Sequence, residues 1–155
     1  MNVSVGSEMI TNKNIFFYDE VENKVMPNSV FVQTGFSNEL FSLSGIYITT
    51  NFAVARIDRY FKKYKYMLTP NENNCQIDTL IKIEKMILSN LDRPHLTKIY
   101  SLKQQLSSLS VLVFDSGNVH TIKHMTNECT MMLKISGVWI NENSCGITFK
   151  FFHIN

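Results

Sequence analysis

The eleven residues Arg56-Ile-Asp-Arg59-Tyr60-Phe-Lys62-Lys63-Tyr64-Lys65-Tyr66 combine residue types suited to chemistry by contact. They hold five cations, one carboxylate, three tyrosines and a phenylalanine. The local charge is +4 in a chain whose formal net charge is +2, which leaves the remainder at −2. Cationic side chains attract phosphates, and interleaved rings stack on unpaired bases. Each stack contributes about 1–3 kcal/mol without requiring a particular base. Read as one strand, the segment places Tyr60, Lys62, Tyr64 and Tyr66 on one face, with Arg59, Phe61, Lys63 and Lys65 on the other. The competing reading is an amphipathic edge whose lysines discourage edge-to-edge pairing while its rings pack inward.

Lys134, Lys150 and Phe152 form a second, smaller basic-aromatic candidate patch, on a strand face that is otherwise simply solvated. Other chemistries are poorly supported. His120 and His124 are four apart with Cys129 five beyond, but no Glu lies between the histidines as in a helical zinc-protease pair, so no metal site is expected. Cys75, Cys129 and Cys145 lack any local nucleophile signature. Asp19, Glu20 and Glu22 are acidic enough for magnesium, yet a hairpin tip of that composition is ordinarily just wet. The six glycines are scattered and make no phosphate loop. The expectation is a protein that is not an enzyme, uses no cofactor and acts by stoichiometric binding.

Length and composition say what must hold such a surface. The 155 residues suit a single domain over 1–155, able to bury roughly 68–70% of the unfolded chain's surface. Eleven Phe and six Tyr supply enough apolar area to argue against disorder. No window approaches eighteen uninterrupted apolar residues, and Met1 to Ile10 does not read as a secretory signal, so no membrane partner is expected. Three cysteines without a Cys-x-x-Cys spacing point to a reducing, intracellular compartment. Sixteen Asn beside abundant Lys and Ile fit an AT-rich coding sequence, as in a virus or an intracellular organism.

The elements follow from pattern. Phe16 to Val25 reads as a hairpin turning at Asp19, Glu20 and Asn23. Ser29–Phe36 and Phe41–Thr50 read as strands, with Gly35 and Gly45 marking bulges or bends. Pro70–Asn74 is a loop. Ile77–Leu91 is a long helix with Ile77, Leu80, Ile81, Ile87, Leu88 and Leu91 on its apolar stripe, stopped by Pro94. Ser101–Leu106 is a short helix capped by Ser101, and Val111–Phe114 is a strand. Met131–Ile140 and Ile147–Ile154 form a C-terminal hairpin. Pairing Trp139 with Ile147 gathers Leu133, Ile135, Trp139, Ile147, Phe149 and Phe151 on the core face. Strands and helices do not alternate, which excludes an all-parallel α/β fold. The expected class is mainly β, a β-rich α+β fold. The element order fits an antiparallel Greek-key barrel of the oligonucleotide/oligosaccharide-binding type, with its helix between the third and fourth strands and an N-terminal β extension. A sandwich with one inserted helix stays open.

Leu133-Lys-Ile-Ser-Gly137-Val-Trp139 followed by Cys145-Gly-Ile-Thr-Phe-Lys150 resembles the closing hairpin of single-stranded DNA-binding proteins from phages and large DNA viruses. The likeness extends loosely to Tyr66-Met-Leu and the helix around Ile83-Glu84-Lys85, covering half of the chain. It implies an oligonucleotide-binding barrel that coats single-stranded DNA during viral DNA replication or recombination. It also implies a location in the host nucleus or at a viral replication site. Many such proteins end in an acidic tail that recruits replication partners, whereas this sequence closes Phe151-Phe-His-Ile-Asn155.

Two functions therefore stand side by side. One is a module binding single-stranded DNA, or RNA, through Arg56, Arg59, Tyr60, Lys62, Lys63, Tyr64, Lys65, Tyr66, Lys134, Lys150 and Phe152. It leaves open a homo-oligomer or a replication-protein partner. The other is a non-enzymatic protein-interaction or structural β-domain, such as a virion component or replication adaptor. They differ in whether the cations and rings converge on one exposed surface.

Overall fold

The C-terminal hairpin is the spine of the molecule. Its arms are β9 (Glu128–Ile140) and β10 (Ser144–His153), turned by Asn141, whose side-chain oxygen accepts from the backbone N–H groups of Asn143 and Ser144 at 3.0 and 2.7 Å. This is a computed structural model, and it describes residues 3–114 and 128–154; His120 and His124 lie outside those residues. Ahead of the spine come β1 (Val5–Gly6), β2 (Ile15–Glu22), β3 (Val30–Ser37), β4 (Ser42–Ser44), β5 (Ile46–Tyr60) and β6 (Lys63–Leu68). Then follow α1 (Asn74–Asn90), β7 (Thr97–Ile99), α2 (Ser101–Ser107) and β8 (Ser110–Phe114).

The chain is mainly β, and β5–β6–β8–β10–β9 closes into a five-stranded barrel through pairing of β9 with β5. Neighbours in the barrel are antiparallel except β8 and β10, which are parallel. Closure removes the open edges that such strands would otherwise present. The spine serves two neighbourhoods. The first part of β9 pairs with β5, while Gly137–Ile140 pairs with β3; likewise the end of β10 pairs with β8 and its start with β7. Strands β3 and β2 thus extend the sheet beyond the barrel. At the branch, the buried Thr34 hydroxyl donates to the Ile135 carbonyl at 3.2 Å, and its own carbonyl accepts from Gly45 N–H at 2.8 Å. Gly45, with φ +97, makes the bend between β4 and β5 that a side chain would oppose.

The expected hairpin is present, but its register is not the expected one. Trp139 pairs with Gly146 and Val138 with Ile147, and the ladder shifts so that Ile135 pairs with Phe149. The extra residue on β9, Ser136, reverses which alternate positions face inward. Met131, Leu133 and Ile135 are buried before the bulge, Val138 and Ile140 after it. Trp139 is therefore only half-buried, on the outer face.

Five further expectations change. Asp19 and Glu20 lie inside β2, Asp19 at a bulge against β3 and Glu20 paired with Val32; the turn comes later, where the Asn23 side chain accepts from Val25 and Met26 N–H. Arg56–Tyr66 is not one strand: β5 and β6 are the arms of a hairpin turning at Phe61 and Lys62. Both helices precede β8, the third barrel strand, rather than following it. Helix α1 keeps Ile77, Leu80, Ile87 and Leu88 buried, with Ile83 in place of Ile81 and Leu91. The short helix is capped not by Ser101 but by the buried Glu84 of α1. That carboxylate accepts from the N–H groups of Leu102 and Lys103 at 3.0 and 2.8 Å. Asn73 anchors the start of α1: its amide bonds both backbone groups of Ala53 at 2.8 Å.

Candidate nucleic-acid interface

Side chains of a strand alternate between faces, so the paired register states which residues share the outside of the barrel. Lys63 pairs with Phe114 and Lys65 with Leu112; Phe114 pairs with Phe152; Lys150 pairs with Lys134; Lys134 pairs with Tyr47. Each of these is partly or fully exposed, while the alternate positions Tyr66, Val111, Val113, Phe151, Leu133 and Ile48 are buried. The result is an outer stripe crossing β6, β8, β10, β9 and β5. It joins half of the basic-aromatic segment to the Lys134–Lys150–Phe152 patch.

Contacts within the stripe are between cations and rings. The ammonium group of Lys63 lies 4.5 Å from the Phe114 ring centroid and that of Lys150 lies 4.8 Å from it. Lys134 sits 5.5 Å from the Tyr47 ring. Phe114 and Phe152 have centroids 6.3 Å apart, tilted by 36°. Among the described residues the ion pairs are Arg56–Asp58 at 3.0 Å and Arg93–Glu20, neither of which involves Lys63, Lys65, Lys134 or Lys150; Asp58 stands across from Lys65 but bonds Arg56. Ammonium groups beside aromatic rings attract anions and offer π-faces together. Beside Lys134 a shallow cavity of about 130 Å³ is lined by Phe31, Gln33, Ser44, Gly45 and Ser136.

The remaining sequence candidates are dispersed. Tyr66 is fully buried: burial raises its phenol pKa far above the ordinary value, and its hydroxyl has no hydrogen-bond partner among the described residues. Tyr64, one step along the same inward face, packs against the core opposite Arg59. The faces expected for a single strand are thus wrong beyond the turn, and Tyr66 leaves the contact surface. Arg56 is exposed but held by Asp58. Tyr60 is exposed on the stripe's side, opposite Lys63, and Lys62 is exposed in the turn. Phe114 and Tyr47 were missed by pattern alone. Both sit in apolar runs, and only cross-strand register brings them to the lysines.

The cysteines are free; Cys75 is exposed, Cys129 and Cys145 are buried, and burial pushes the Cys129 thiol up to about 11. That suppresses thiolate chemistry there. Among the described residues no three His, Cys, Asp or Glu side chains group as a metal site, and no helix is long and apolar enough to cross a membrane. Comparison with protein-family models, curated proteins and solved structures returns no match.

Proposed function

We propose that this protein binds single-stranded nucleic acid stoichiometrically, with its bases on Phe114, Phe152 and Tyr47 and its phosphates against Lys63, Lys65, Lys134 and Lys150. The observation that carries the reading is the convergence of Lys63 and Lys150, from two different strands, on one partly exposed ring. Non-specific single-strand binders combine just these parts, a cationic track with stacking rings. The strand order supports an oligonucleotide-binding Greek-key barrel. Counted along the chain, β5, β6, β8, β9 and β10 are its five strands, arranged first-second-third-fifth-fourth. In that fold the face of the second and third strands holds oligonucleotides. Here that is the β6–β8 face, which carries Lys63, Lys65 and Phe114. The proposed role is coating single-stranded DNA in viral replication or recombination, with RNA as the alternative polymer and without catalysis.

The second reading, a protein-interaction or structural β-domain, is favoured by Val21, Val25 and Leu40, which are 57%, 94% and 86% exposed in the N-terminal extension. A fluorescence-anisotropy titration with labelled oligothymidine at two salt concentrations separates the two. Binding that weakens with salt supports the first, and absence of binding at both transfers the lead to the second.

A further inference from the structure

The hairpin tip is built against ordinary turn chemistry. Tyr60 pairs with Lys63, so Phe61 and Lys62 form a two-residue turn, and Phe61 has φ +54. Such turns favour Gly or Asn where φ is positive, because a Cβ there crowds the backbone. Phe61 is nonetheless 83% exposed, so its ring receives little packing in return. Among the described residues it is the one large exposed apolar side chain with a left-handed backbone. A strained conformation that presents an unburied ring points to function at that ring. Tyr60 supports it edge-on, with centroids 5.0 Å apart and planes at 86°.

The charges around the ring are two-sided. Cross-strand register puts Lys63 on the outer face of the hairpin and the exposed Arg59 on the opposite face, with Lys62 in the turn itself. An apolar apex with a cation on each flank matches two phosphate backbones diverging around a terminal base pair. Apolar side chains, Phe among them, act as wedges against base steps elsewhere. A flat anionic surface has no use for cations on both faces of the tip. The outer flank also continues into the Phe114 stripe, which would carry one of the two strands away.

We infer that Phe61 is a wedge for single-strand–duplex junctions, stacking on the last base pair while the hairpin parts the strands. This rests on the single-strand reading above. The test compares oligothymidine with a fork of equal single-strand length attached to a duplex stem. The parent should bind the fork about tenfold more tightly, the worth of one added stack. Phe61→Gly relieves the turn and should melt no lower than the parent. It should lose the fork preference while binding oligothymidine within about twofold of the parent. Phe61→Trp should keep the preference. Equal fork preference in parent and Phe61→Gly overturns the wedge, as does oligothymidine binding by the parent without fork preference. Anionic vesicles that bind the parent but not Phe61→Gly, with no fork preference, would assign the ring to a lipid surface instead. If the parent binds neither DNA, both readings fall.

Discussion

Lys63 and Lys150 reach the ring of Phe114 from opposite sides of β8, at 4.5 and 4.8 Å from its centroid. Two like charges drawn to one ring concentrate positive potential beside an apolar surface. Under the proposed function, a phosphate placed there would relieve their repulsion while its base covered the ring.

The ionic half of that arrangement has a measurable signature. Four cations meeting phosphates predict a slope near −3 for the logarithm of affinity against the logarithm of salt. Replacing Lys63, Lys134 and Lys150 together by Gln should flatten it by about two. A control replacement of Arg56 and Lys24, two charges rather than three, should leave it nearly unchanged, since Arg56 is already held by Asp58 and Lys24 lies in the β2–β3 turn. Equal slopes in the two variants would remove the stripe from the proposal.

Stacking should respond differently. Phe114→Ala or Phe152→Ala should weaken oligothymidine binding by about 1–3 kcal/mol with the salt slope intact. Thermal melts guard the comparison, because both rings are partly buried. A variant that melts like the parent and binds like it would show that the ring does not stack on bases.

The sequence was most legible where one pattern ran without interruption. The Ile77–Leu91 stripe marked α1 within a few residues, and the Met131–Ile140 and Ile147–Ile154 runs marked the spine. Illegible were the places where a single residue breaks the alternation. Ser136 adds one residue to β9 and sends Trp139 outward; nothing local announces it, because the bulge serves a change of partner from β5 to β3. The Phe61–Lys62 turn carries no Gly, Asn or Pro, so one basic-aromatic run concealed two antiparallel strands. Of the candidate site, the lysines were visible as composition. The ring they share was not, since Phe114 reaches them only through the pairing of β8 with both β6 and β10.

Trp139 lies across Gly146 on the outer face. A Cβ at Gly146 would come 2.7 Å from the indole Cζ2 and 3.0 Å from the Ile99 carbonyl oxygen. Gly146→Ala should therefore destabilise the fold by about 1–3 kcal/mol, read by urea denaturation. Trp139→Ala should cost less than the roughly 3–5 kcal/mol of a fully buried aromatic, because the indole is half exposed. Adding Trp139→Ala to Gly146→Ala should recover part of the glycine penalty. Strict additivity would mean that the ring and Gly146 are not in contact.

The last prediction concerns Glu84, a fully buried carboxylate that holds α1 to α2. Burial raises its pKa above the ordinary 4.5, against the lowering effect of the Lys103 and Leu102 N–H groups and of the Lys103 charge. The folded protein thus holds that proton more readily than the unfolded chain. The stabilising share of Glu84 is complete below 4.5 and is lost as pH rises through the raised value. Glu84→Gln cannot titrate and keeps one acceptor oxygen for the helix. Its stability relative to the parent should improve as pH climbs from acid to neutral, measured by urea midpoints across that range. Glu84→Ala leaves two N–H groups without their acceptors and should lose about 1–3 kcal/mol at acid pH, a deficit that narrows as pH rises through the raised value. If the parent instead gains on Glu84→Gln with rising pH, the two N–H bonds outweigh burial and hold the carboxyl below its ordinary value.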